Sequence, residues 1–160
     1  IGSAVNFATG SFTPAFVKLS TNTALFTDSS PTAEGFYQKM GKIVHITGSI
    51  QNDGSFSYGT GVGDSTDVAV GNLPFNASLQ SASDDYWNQG IFHIWFSGLS
   101  GWNASYRMFG LMRTDPSSSA PTNQFALYFD STNASATVTA QYWISANSSI
   151  IFNGFYFTDD

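Results

Sequence analysis

The side chains able to do acid–base, nucleophilic or metal chemistry are few in this sequence: two histidines, eleven carboxylates and no cysteine. His45 and His93 both fall inside alternating strand patterns. A zinc site needs three or four ligands, and here the remainder would have to be carboxylates. The better reading is a half-buried ring satisfied by a neighbour. The carboxylates gather as Asp84-Asp85, Asp64/Asp67 and Asp159-Asp160, and Glu34 is the only glutamate. Glycoside hydrolysis needs two carboxyls facing one another across about 5–10 Å, which adjacent acids on one loop do not provide. Asp53, Asp64 and Asp67 lie in an oxygen-rich loop of the kind calcium takes, but without EF-hand spacing. No G-x-S-x-G elbow is present. Gly59-Thr60-Gly61-Val62-Gly63 lacks both a nearby cation and the strand–helix setting of a phosphate cradle. The chemistry-bearing residues therefore predict no catalytic centre, no metal site and no cofactor.

Composition narrows the partners. Charged residues make up 10% of the chain, against about 25% in an ordinary domain. Five cations under a net charge of −6 cannot build the positive footprint of a nucleic-acid binder, and an anionic membrane surface would repel the chain. No apolar run approaches the ~20 residues of a membrane-spanning helix, so neither nucleic acid nor membrane insertion is expected. A hydrophobic content of 42%, with 16% aromatic, argues against disorder. Low charge, no cysteine and abundant Ser, Thr and Asn suit an extracellular protein that does not rely on disulfides. Sequons stand at Asn76, Asn103, Asn133 and Asn147, and they matter only in a eukaryotic secretory pathway. Ile1 is not an initiator, and the chain is expected to be one end of a longer protein.

The elements that would position these residues are strands. Phe12 to Leu19 alternates around Pro14, which demotes it to an edge or a strand start. Gly35 to Ile50 reads as two strands joined at Met40-Gly41-Lys42; Ile43, His45 and Thr47 share one face, and Val44, Ile46 and Gly48 the other. Asn52 to Asp67 is a loop, Val68 to Phe75 a short strand ending in a Leu-Pro-Phe corner, and Ala77 to Gly90 the only stretch with room for a helical turn. Ile91 to Phe96 is an apolar run typical of a central strand. Tyr106 to Met112, Phe125 to Phe129, Ala136 to Tyr142 and Ile150 to Phe157 complete about ten strands. Short strands at this spacing predict one all-β domain over residues 1–160, a jelly-roll-like antiparallel β-sandwich. Phe92, Trp95, Phe96, Phe109, Phe125, Phe129 and Phe155 follow the strand period and are expected in the core. Phe56, Tyr58, Tyr86, Trp87 and Trp102 lie instead in polar loops. Beside Asp84, Asp85 and Asn103 they offer ring faces and hydroxyl partners of the kind that grip a sugar.

Several stretches together resemble a known family. Gly10-Ser-Phe-Thr-Pro14 opens the chain, Gly35-Phe-Tyr-Gln-Lys-Met-Gly41-Lys-Ile-Val44 forms a hairpin, Gly71-Asn-Leu-Pro-Phe75 makes a corner, and Asn153-Gly-Phe-Tyr-Phe-Thr-Asp159 closes it. This order is similar to the distal domain of phage tail fibres and related virion appendages. The resemblance covers the first half of the chain and its last ten residues, with no echo from Ser78 to Thr122. It implies a homotrimeric sandwich at the tip of a fibre on the virion, among other virion proteins. Such a domain binds a host-surface receptor, a polysaccharide, and is not an enzyme. No binding residue carries over by position. An aromatic chain with so few charges also fits burial of further surface by self-association. Two other classes compete: a purely structural virion protein (capsid fibre, decoration or assembly knob) and a secreted carbohydrate-binding module. A glycosidase would require Asp130 or Glu34 to approach a loop acid.

Overall fold

The computed structural model describes residues 6–19, 21–27, 31–52, 57–78, 90–100, 107–112, 123–131, 134–143 and 147–159. Ten strands carry the fold: β1 Phe7–Phe12, β2 Ala15–Lys18, β3 Thr32–Met40, β4 Ile43–Gln51, β5 Val68–Gly71, β6 Gly90–Ser97, β7 Arg107–Leu111, β8 Phe125–Ser131, β9 Ala134–Thr137 and β10 Ser149–Phe157. Among the described residues the only helical segment is a 3-10 turn, Ala140–Trp143. It occupies the end of the stretch expected to be a strand through Tyr142. The expected helical turn in Ala77 to Gly90 falls largely on residues 79–89, outside the described set.

All pairings are antiparallel and belong to one sheet, in the order β1-β3-β4-β10-β6-β7-β8-β5-β2, with β9 added along β8. The two ends of that order are consecutive in sequence. β1 and β2 form opposite edges, yet only Thr13 and Pro14 separate them. A link of this length spans at most about 11 Å, so the sheet must curl until its edges approach. Pro14, which has no N–H to give a ladder, sits at that corner. The expected antiparallel, sandwich-like all-β fold is thus reached by one continuous sheet bent over its core, in place of two separate sheets.

Glycines set how tightly the sheet can bend. In six antiparallel pairs an inward aromatic stands directly opposite a glycine: Tyr37 and Gly10, Phe12 and Gly35, Phe152 and Gly48, Phe92 and Gly154, Phe92 and Gly110, Tyr156 and Gly90. In each pair the partner side chain comes within 2.5–3.0 Å of where a glycine Cβ would stand. The missing side chain is what lets the ring lie flat on the neighbouring strand. The Phe92 ring lies over Gly154 and the Phe125 ring over Gly110, so the two rings stack at 4.1 Å between centroids, and Phe125 meets Phe152 edge-on at 5.4 Å. Val44, Ile46, Ile50, Val68, Val70, Leu127, Ile150 and Tyr156 complete a core with no measurable exposure.

The recurrent motifs find their reasons here. Gly35, Tyr37 and Lys39 share the inward face of β3. Tyr37 packs edge-on against Phe75 at 5.2 Å, and the Lys39 ammonium sits 5.6 Å over the same ring, which accounts for a lysine buried to 4% exposure. The Leu-Pro-Phe corner is thus clamped by the β3 hairpin. Gly41 opens the two-residue β3–β4 loop at φ 61°, the left-handed first position of a II′ turn. No atom lies within 4 Å of its absent Cβ, so Gly41→Ala is expected to cost only the left-handed strain, about 1–2 kcal/mol, measured by urea unfolding.

Three core assignments are corrected. Trp95 is 66% exposed, Phe155 is 42% exposed, and Phe109 faces outward on β7 opposite His93. Register decides all three: with Phe92 inward on β6, Ile91, His93 and Trp95 must point outward; with Tyr156 inward on β10, Phe155 must follow them; and with Met108 and Gly110 inward on β7, so must Phe109. Phe92 and Phe125 are buried as expected, and Phe96 and Phe129 pack partly buried against the core.

Candidate functional site

Of the loop residues singled out for binding, Tyr58 is described; Phe56, Asp84, Asp85, Tyr86, Trp87, Trp102 and Asn103 lie outside the described residues. Tyr58 is an anchor. Its ring stacks on Phe26 at 6.3 Å and its hydroxyl donates to Asp64 Oδ1 at 2.7 Å. The backbone around it bonds the neighbouring loop through Thr27 N–H to Ser57 O and Gly59 N–H to Leu25 O. Partial burial, and behind it the Asp64 carboxylate, hold the Tyr58 phenol above the ordinary tyrosine range. Asp64 is therefore occupied by a hydroxyl, as is Asp67, whose Oδ1 accepts from Thr137 Oγ1 at 2.7 Å. Among the described residues no three His, Asp or Glu side chains gather as a metal site would require. His45 and His93 both point outward but do not meet: β10 runs between them, with His45 opposite Phe155 and His93 opposite Asn153. Glu34 and Asp130, either of which a glycosidase would need beside a loop acid, stand on β3 and β8; Asp84 and Asp85 lie outside the described residues.

Among the described residues the exposed aromatic surface lies on the sheet itself. Nine of their large apolar side chains project from its convex side: Phe7, Phe36, Met40, Ile43, Ile91, Trp95, Ile151, Phe155 and Phe157. Their exposure runs from 39% at Phe157 to 66% at Trp95. Register arranges them in rows across the strands. Phe7, Met40, Ile43 and Phe157 make the first row; Phe155 and Ile91 extend it in the second, beside Gln38 and His45. Ile151 and Trp95 stand together in the fourth, next to Ser49. The third row is a polar stripe of Thr47, Asn153 and His93 that ends at Phe36. At the β1–β3 edge Phe36 also walls a shallow hollow of about 530 Å³ with Thr9, Gly10, Ser11, Tyr37 and Gln38.

Sequence reasoning passed over this face, although β10 carries its signal. In Ser149–Phe157 both parities are apolar: Ile150, Phe152 and Tyr156 point in, and Ile151, Phe155 and Phe157 point out. Strands apolar on both parities belong to sheets covered on both faces.

The arrangement defines a curled, all-antiparallel β domain with one covered and one uncovered apolar face. Among solved structures its fold is similar to part of the Dettilon tailspike protein, with a TM-score of 0.64 and 16% identity over 94% of this chain and 23% of that one. The chain thus spans about a quarter of the tailspike's length, and the likeness is one of fold. No family model matches the chain, and no curated protein does.

Proposed function

We propose that this chain is a non-catalytic domain of a phage tail appendage that holds a host-surface polysaccharide, works as a homotrimer and resides on the virion. The observation that carries the reading is the fold shared with a tailspike across 94% of the chain; the opening, hairpin and corner motifs, which the structure packs against one another, agree with it. Tyr58 is spent on anchoring its loop, so recognition falls to Phe56, the Asp84 to Trp87 segment and the Trp102-Asn103 pair. Aromatic rings beside short polar side chains stack on sugar CH groups while the hydroxyls find partners, and several copies per particle multiply a weak single-site affinity. Trp87→Ala and Trp102→Ala are each expected to lower binding to host cells or their surface polysaccharide about tenfold or more, with Tm unchanged, in pull-down and thermal melts run side by side. Equal loss of binding and Tm would make these residues structural.

A second reading has its own support. A face with nine exposed apolar side chains exceeds what loop recognition needs and favours a structural virion protein, an assembly knob. In that case loop variants leave attachment untouched and face variants disrupt the particle.

A further inference from the structure

The uncovered face is large enough to settle what it requires. Each of its nine side chains is roughly half exposed; at about 100 Å² apiece, half an aromatic side chain's usual burial, they present on the order of 900 Å² of apolar surface. The largest apolar patch on an ordinary monomer is about 300–600 Å², whereas a stable interface buries about 800 Å² per partner. Its charges stand at the rim. Glu34 on β3, and Arg107 on β7 opposite Asp130 on β8, lie toward one end, and the Lys42–Asp159 ion pair, at 3.4 Å, closes the other. These rim charges sum to −1, so little of the chain's net charge of −6 opposes an identical surface here.

We infer that this face packs against a second copy of the same chain, closing the stripe of Thr47, Asn153 and His93 inside the contact. The inference deepens the oligomeric part of the proposed function and rests on that part alone; receptor binding through the loops is a separate matter.

Light scattering of the purified chain at micromolar concentration tests this. The expected mass is a multiple of 17.2 kDa. Trp95→Lys and Phe155→Lys, both at exposed positions, are expected to give folded monomers by circular dichroism. The milder Ile151→Ser should raise the concentration for half-association about tenfold, and serves if a lysine variant fails to fold. A monomeric wild type, or an oligomer that survives the face substitutions, overturns the inference. Loop variants that lose receptor binding but keep their mass would separate this result from the recognition reading.

Discussion

Phe92→Ala is expected to cost about 3–5 kcal/mol of folding stability, the range for a buried aromatic truncated in a packed core. Phe92 is fully buried, stacks on Phe125 at 4.1 Å and lies 6.4 Å from the Tyr156 ring. It also stands opposite two glycines, Gly110 and Gly154. No side chain on those glycines can relax into the space, so the cavity stays open and the cost falls toward the upper end of the range. For a domain of this size that is a fall in Tm of roughly 6–20 °C. Trp95→Ala, three residues along the same strand, removes a larger ring that touches no core and leaves the fold in place. Thermal melts and circular dichroism of the two variants therefore test the β6 register directly. Equal destabilisation would mean that the strand is slipped by one residue.

Tyr156 should show a graded loss. Its hydroxyl donates to Phe75 O at 3.0 Å and accepts from Phe75 N–H at 3.2 Å, tying β10 to the Leu-Pro-Phe corner. Tyr156→Phe keeps the packing and leaves both backbone groups without that partner, at about 1–3 kcal/mol. Tyr156→Ala adds a cavity beside Phe92 and opposite Gly90, for about 3–5 kcal/mol or more. Urea unfolding resolves the two steps. If Tyr156→Phe is neutral, the corner is held by Tyr37 and Lys39 against the Phe75 ring alone.

The strands were legible where one parity was apolar and the other polar. Ile43, His45 and Thr47 against Val44, Ile46 and Gly48 marked the two faces of β4, and Met40-Gly41-Lys42 marked the turn. The assignment failed where both parities are apolar. In Gly90–Ser97 and Ser149–Phe157 the sequence marks hydrophobic residues without saying which side is the core, so Trp95 and Phe155 were placed inward. Only the pairing of Phe92 with Gly154 and Gly110 fixes the parity, and that is information from three strands at once. Pro14 was visible as a break but not as the corner between opposite edges of the sheet, because a crossover is a property of topology. Within the proposed site, Tyr58 had the right composition for sugar binding. Phe26 and Asp64, which claim it, lie 32 residues before it and six after it, beyond the reach of a local pattern.

The measurement that bears most directly on the proposed function is retention of the wild-type chain on bacterial surface polysaccharides, with the supernatant analysed for released oligosaccharide. The account predicts saturable retention on a subset of polysaccharides, stronger for the assembled chain than for Trp95→Lys because several sites act together, and no new reducing ends. Absence of retention on every polysaccharide and host cell tested, or release of cleaved oligosaccharide, would contradict it.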